Sequence, residues 1–304
     1  MKYAPVLLFV YNRPLHVKEA IQSLQKNKLA RESELFIFSD GAKDSMQASA
    51  VQEVRAYIHS IKEGFAKITI LEREQNWGLA RNIIDGVSTL VHQYGRVIVL
   101  EDDLIVSPYF LTFMNDALEV YKDEPKVGHI HGCEFFQDES LPETFLIKFT
   151  GSWGWATWER AWKYFNPDGK ALLKQLHEKK LTYAFDFNGS YGFTRMLYNQ
   201  TIGKNNSWAI RWNASLFLHN ILSLNVGRSL VQNRGFDGSG TNCGADDIYT
   251  TSFSKQGIVV NKIEPIQENL QARKSIEQYY RKTNSFRAKA LRRIKRILKG
   301  DFSA

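Results

Sequence analysis

The first hundred residues alternate between short apolar runs and longer stretches with helical periodicity. Runs at Val6–Tyr11, Leu35–Phe38, Lys67–Leu71 and Val97–Leu100 predict buried parallel strands. Successive runs are spaced by about thirty residues, the length of a βαβ unit. Between them, Val17, Ile21 and Leu24 share one helical face, as do Val51, Val54, Ile58 and Ile61. Leu79, Ile83, Val87, Leu90 and Val91 form a third stripe. After the fourth run, Ser107-Pro108 has the form of an N-cap followed by proline at N1, opening a helix through Phe110, Met114, Leu118 and Tyr121. The pattern predicts an α/β fold, a mixed but mainly parallel sheet flanked by helices.

Polar residues collect just past the carboxyl ends of the predicted strands, where such sheets bind ligands. Strand one runs into Asn12-Arg13-Pro14, strand two into Ser39-Asp40-Gly41, and strand four into Glu101-Asp102-Asp103. The first turn lacks glycines and no GxxxxGK[ST] occurs, which removes support for a dinucleotide enzyme and a P-loop NTPase. Three acids closing a buried strand repel one another unless a cation or hydrogen-bond donors compensate them. Carboxylate oxygens suit hard divalent ions such as Mg²⁺ and Mn²⁺, which commonly bridge protein and phosphate. The competing reading is a solvated loop with helix-capping acids.

The segment VIVLEDDLIVSPYF resembles the metal-binding strand end of GT-A nucleotide-sugar glycosyltransferases. Within that fold it is similar to the family of the first Golgi N-acetylglucosaminyltransferase. Together with Gly151–Trp158 (GSWGWATW), it also resembles bacterial sugar transferases that build surface polysaccharides such as lipopolysaccharide and capsule. The resemblance spans roughly residues 4–245. It implies that Asp103 ligates a divalent metal (Mn²⁺ or Mg²⁺), that Asp102 lies near the ribose or the metal's waters, and that Glu101 faces the donor sugar. It further implies that Arg13 contacts the nucleotide phosphates and Asp40 the base edge. These roles suit the residue types, since guanidinium groups pair with phosphate and carboxylates accept from a base N–H. In Asn76–Asn82, Arg81 near a helix start is a second candidate for the nucleotide.

Three tryptophans within six residues make Trp153, Gly154 and Trp155 candidates for a wall against the sugar, with a tryptophan-rich core corner as the alternative. An inverting transferase also needs a base beside the acceptor hydroxyl. The nearest match to the family's segment is Ala184-Phe185-Asp186-Phe187, which makes Asp186 the first candidate and Asp237 the second. Asp237 and Arg234 fall in a glycine-rich stretch, Ser229–Gly244, readable as a loop closing over the donor or as plain surface. His129 and His131 sit on an apolar run and read as structural.

Charge changes the picture last. The chain of 304 residues has 40 Lys and Arg against 32 Asp and Glu, a net +8. Seven of those cations lie in residues 285–300, where no acid occurs, so the remainder is nearly neutral and a nucleic-acid partner loses support. Phe286, Ala290, Leu291, Ile294, Ile297 and Leu298 share a stripe among these cations, the pattern of a helix lying on an anionic membrane surface. The opening apolar run is too short for a secretory leader, and Cys133 and Cys243 form no CxxC pair. The expected setting is therefore cytoplasmic, peripheral to the inner face of the plasma membrane.

These expectations place a GT-A domain over 1–265, with a nucleotide half to about 125 and an acceptor half beyond it, and a basic helical tail over 266–304. The expected activity is transfer of a sugar from a nucleotide-sugar, a UDP-sugar above others, onto a lipid-linked or oligosaccharide acceptor. Two rivals are a metal-dependent nucleotidyltransferase or phosphohydrolase, and a non-catalytic, membrane-associated saccharide-binding protein.

Overall fold

A computed structural model describes residues 3–136, 138–236, 253–254 and 256–285. The four predicted strands form, as β1 (Val6–Val10), β2 (Glu34–Ser39), β3 (Lys67–Glu72) and β4 (Arg96–Glu101). They pair in parallel in the order β3-β2-β1-β4. The predicted helices follow as α1 (Pro14–Gln25), α2 (Ser45–Ser60) and α3 (Leu79–Tyr94). Local signals set their ends. Pro14 occupies the first turn of α1, Asp44 caps α2 by accepting from Gln47 N, and Gly95 ends α3 in the left-handed region.

Burial follows the two faces of the sheet. Val6, Leu8 and Val10 pack with Val17, Ile21 and Leu24 of α1 and Val54 and Ile58 of α2. Leu7 and Phe9 pack against Ile83, Val87 and Leu90 of α3 on the opposite face. Because both faces are covered, these strands are continuous apolar runs instead of alternating ones.

Beyond β4 the chain departs from the predicted simplicity. A short strand β5 (Leu104–Val106) precedes α4 (Phe110–Val120). The helix begins at Phe110, two residues later than the Ser107-Pro108 signal predicts; Ser107 instead closes a turn, its carbonyl accepting from Phe110 N. Next come β6 (Val127–His131), β7 (Thr144–Ile147), β8 (Trp155–Trp158) and the short helix α5 (Glu159–Trp162). Helices α6 (Gly169–Glu178), α7 (Thr182–Phe185), α8 (Phe193–Thr201) and α9 (Trp208–Leu218) lead to β9 (Leu222–Val226) and β10 (Val231–Asn233).

The main sheet has eight strands in the order β3-β2-β1-β4-β8-β6-β9-β7, while β5 and β10 form an antiparallel pair of their own. Strand β8 runs antiparallel to both of its neighbours. Its beginning therefore lies at the edge where β1, β2, β4 and β6 end. A third core, rich in phenylalanine, joins α6, α7 and α8 to α10 (Leu270–Asn284). Ala272, Ile276 and Tyr280 of α10 are buried there, so the first part of the predicted tail is docked on the body. The basic stripe over 286–298 lies outside the described residues.

Candidate active site

Arg13 stands between β1 and α1. Pro14 restricts the residue before it to an extended backbone, and Arg13 has φ −118° and ψ 78°. From there its guanidinium reaches the acids that follow β4. Arg13 Nη2 donates to Asp102 Oδ1 in a close ion pair and to Asp103 Oδ2 at 3.0 Å. Burial works against the Arg13 charge, yet the attraction of Asp102 and Asp103 outweighs it and holds the group charged beyond its ordinary range. Burial raises the Asp102 carboxyl despite Arg13. Glu101 is pushed up to about 8, first by burial and then by the charges of Asp103 and Asp102. The sequence thus places Arg13, Glu101, Asp102 and Asp103 in one cluster.

Two buried polar atoms in this cluster have no protein partner, Asp102 Oδ2 and Arg13 Nη1. An orphaned acceptor beside an orphaned donor suits a ligand carrying both a cation and phosphate oxygens. Among the described residues no group of three or more His, Cys, Asp or Glu side chains is arranged to hold a metal ion alone. A magnesium-like ion shared with a diphosphate needs only one or two protein carboxylates, so the all-oxygen set of Asp102 and Asp103 fits it.

Residues 234–236 lie across Asp103. The Arg234 N–H donates to the Asp103 carbonyl at 2.8 Å, continuing the pairing of β10 with β5. A Cβ on Gly235 would stand 2.3 Å from Asp103 Oδ2, so any side chain here would push the Asp103 carboxylate aside. Phe236 meets Trp153 edge-to-face with centroids 5.5 Å apart. The Arg234 backbone is therefore beside Asp103, while its half-exposed side chain lies 4.0 Å from Glu19 Oε2; Asp237 lies outside the described residues.

The tryptophan segment divides. Trp153 is half-buried against Phe236 and remains a candidate wall. Trp155, predicted as part of that wall, is fully buried; it stacks on Trp208 at 5.1 Å and on His129 at 5.3 Å. Gly154, also predicted there, is buried at φ +69°, and a Cβ would run into Val231 and Phe110. Trp155 belongs to the core because β8 turns it into a face of the sheet, and Gly154 because its backbone packs against Val231 and Phe110. The two histidines below are structural, as predicted. His129 accepts from Trp212 Nε1 and binds the Gly151 carbonyl at 3.0 Å, and His131 binds Asn225 Oδ1 at 3.1 Å. Burial drives both imidazoles down, His131 to about 4.

Asp40 closes β2 and is buried, but its carboxylate is engaged by protein. Oδ1 accepts from Gly41 N at 2.9 Å and Trp77 N at 2.8 Å; Oδ2 accepts from Gly78 N at 2.9 Å and Asn76 Nδ2 at 3.1 Å. These four bonds tie the end of β2 to the turn before α3. Arg81 stacks its guanidinium over the Trp77 ring at 3.8 Å, and Arg73 covers a face of the same ring at 3.7 Å. Sequence reasoning missed Arg73, which bonds Asn82 and Asp85 of α3, and the bonds of Asn76 to Asp40 and Gly41, which are distant in the chain.

Asp186 sits between α7 and α8 and caps α8, accepting from Thr194 N at 2.6 Å. Burial raises its carboxyl, and the Thr194 bonds oppose the rise. Phe187, which follows it, packs edge-on to Phe149 at 5.7 Å, two residues before Gly151. Sequence reasoning also missed Glu134, just past β6. It is 6% exposed, its Oε1 accepts from Phe135 N and Phe136 N, and burial lifts it well above the carboxylate range.

An α/β sheet with an arginine-bridged acid cluster at its carboxyl edge is the arrangement of a GT-A glycosyltransferase. The family model of glycosyl transferase family 2 matches residues 6–177, more than half of the chain, and the chain belongs to that family. The finer likeness to the Golgi N-acetylglucosaminyltransferase rests on the sequence segments alone. No curated relative matches. Among solved structures, the chain is similar to TarS of S. aureus at 19% identity (TM-score 0.31), over 47% of this chain and 23% of that one. A TarS structure of residues 1–349 gives 18% identity (TM-score 0.35), over 58% of this chain and 49% of that one. The chain thus spans no more than half of either TarS structure. The galactosyltransferase LgtC, in complex with donor and acceptor sugar analogues, gives 10% identity (TM-score 0.38), over 72% of each chain. All three scores lie below 0.5, and membership rests on the family model.

Proposed function

We propose that the chain transfers a sugar from a UDP-sugar to a saccharide acceptor, with inversion and with a divalent cation, in assembly of a bacterial surface polysaccharide. The observation that carries this reading is the Arg13–Asp102–Asp103 cluster with its orphaned Asp102 oxygen and Arg13 nitrogen. Asp103, with Asp102, would hold the cation, which supplies charge neutralisation for the leaving diphosphate. Arg13 is preorganised to add a second positive charge, because its side chain is already held by the acids. Trp153 offers an aromatic face for a sugar ring. Asp186, with its raised carboxyl, is the proposed base for the acceptor proton, and Asp237 is the second candidate.

A lipid-linked acceptor and a peripheral membrane position would follow from the basic stripe over 286–298. Among the described residues no helix is long and apolar enough to cross a membrane. Truncation after Ser285 should release the protein from anionic vesicles; unchanged binding refutes the anchor.

The test of function is nucleotide release and sugar transfer from a panel of UDP- and GDP-sugars with Mn²⁺, for the native chain and Asp103→Asn. Transfer that needs Mn²⁺ and vanishes in the variant supports the reading. Release of nucleotide monophosphate and sugar phosphate without transfer would favour a phosphohydrolase.

A further inference from the structure

We propose that α10 is a clamp that fixes the direction of Asp186. Through Arg273, Glu277 and Arg281 it holds the next three residues, Phe187-Asn188-Gly189, in a left-handed turn. The inference rests on the reading of Asp186 as the base for the acceptor proton, and Arg273 is on that reading a positioning residue.

Phe187, Asn188 and Gly189 have φ of +49°, +52° and +73°. Left-handed residues occur routinely as single glycines or asparagines, not as runs. Among the described residues the other non-glycine cases, Lys180 and Asn220, each stand alone just past α6 and α9, an ordinary way for a helix to stop. Phe187 follows α7 in the same way, but it carries a bulky ring, is 1% exposed, and the run continues beyond it. Local sequence accounts for Gly189 and tolerates Asn188. It does not account for Phe187, and such a conformation persists only where its surroundings over-determine it.

Those surroundings are α10. Arg273, Glu277 and Arg281 are spaced by four and form one stripe of the helix. Arg273 Nη2 donates to the Ala184 carbonyl at 2.5 Å, and its guanidinium lies over the Phe187 ring, 4.7 Å from the centroid. Glu277 Oε1 accepts from Asn188 Nδ2 at 2.7 Å, and Arg281 Nη2 donates to the Asn188 carbonyl at 2.9 Å. Arg273 is itself braced by Glu268 at 3.0 Å and by Glu277 at 3.2 Å. Asp186 therefore stands between two residues gripped by the same helix, Ala184 before it and Asn188 after it. Its carboxylate bonds to the start of α8 instead, so α10 acts on it through the backbone.

The experiment compares Arg273→Met, Arg273→Lys and, as a control, Lys274→Met, the exposed neighbour off the stripe. Transfer is measured with the UDP-sugar that the native chain accepts, and titration calorimetry with UDP and Mn²⁺ reads donor binding. Arg273→Met should lower kcat by about a hundredfold, the effect of a misplaced reacting group, while the Kd of UDP stays within about twofold. Arg273→Lys restores a donor for Ala184 and should recover most of kcat, and Lys274→Met should match the native chain. A native kcat in Arg273→Met overturns the proposal even if its Tm has fallen, since the arginine is then structural only. An equal loss in Lys274→Met also overturns it.

Amide exchange in the nucleotide-free protein judges the turn separately. The Ser190 and Tyr191 amides donate to the Phe187 and Asp186 carbonyls, both at 3.1 Å. They should exchange faster in Arg273→Met and slow again in Arg273→Lys, and unchanged exchange overturns the clamp. If Asp186→Asn transfers like the native chain, the reading of Asp186 itself fails, and exchange still decides whether α10 holds the turn.

Discussion

Replacing Arg13 by methionine removes the charge from the acid cluster and keeps most of the apolar stem. Breaking a buried ion pair by deleting one partner costs about 3–5 kcal/mol when both groups are dry. The Arg13 and Asp102 side chains are 16% and 5% exposed, which places the expected cost near the lower end, at about 3 kcal/mol. Unfolding entropy of roughly 2.1 cal/mol/K per residue makes this a fall in Tm of about 5 °C for a chain of this length. The measurement is thermal unfolding of Arg13→Met and the native chain, in EDTA and in Mn²⁺. A divalent cation takes over the lost positive charge, so Mn²⁺ should raise the variant more than the native protein. At about one hundred times its Kd the ion contributes about 2.7 kcal/mol, enough to recover most of the deficit. An unchanged Tm in EDTA would refute the assignment of Arg13 as the cluster's counter-charge. An equal Mn²⁺ rise in both proteins would refute the assignment of the ion to these acids.

Three further predictions follow from other contacts. Gly235→Ala places a methyl against Asp103 Oδ2 and should lower kcat/KM by about a hundredfold with little change in Tm, measured by donor turnover; native-like turnover would show that the 234–236 strap yields freely. Asp186→Asn keeps the cap on α8, since asparagine caps as well as aspartate, whereas Asp186→Ala loses about 1 kcal/mol of stability. If Asp186 is the base, both variants lose transfer by a factor of about 10²–10⁴ while only alanine lowers Tm, and an active asparagine variant removes it from the chemistry. Acid should weaken the fold through His131. Its imidazole is held down at about 4, so below the ordinary value of 6.5 the unfolded chain takes up a proton that the folded chain refuses. The His131 contribution is therefore complete above about pH 6.5 and falls toward pH 4 by about 3 kcal/mol; His129, driven down likewise, adds to the slope, so in urea titrations His131→Phe should make it shallower without abolishing it.

The first four strands and their helices are legible because their signals are local. Runs such as Val6–Val10 are buried on both faces, and the stripes of α1 to α3 mark their inward sides within a few turns. Arg13 and the three acids could be placed together because strand ends in a parallel sheet share an edge. The losses came from contacts with no trace in sequence. Asp40 meets Asn76, Trp77 and Gly78 across a strand pair, and nothing near Asp40 announces these bonds. Strands β5 and β10 hold three residues each, too few for a period to register. Trp155 shows the opposite ambiguity: a buried tryptophan and a sugar-facing one look alike until the direction of β8 decides between them.

That direction has a consequence for how the molecule can be altered. The chain leaves the carboxyl edge after His131, makes an excursion that includes β7, and returns to the same edge at Trp155, opposite His131 in the ladder. Departure and return points are adjacent, yet the segment between them is tied to the body, because β7 pairs with β9 and Phe136, Phe145 and Ile147 are buried in the third core. New length is best tolerated at its exposed turn, Glu139–Ser140, which leaves β4 and its acids untouched.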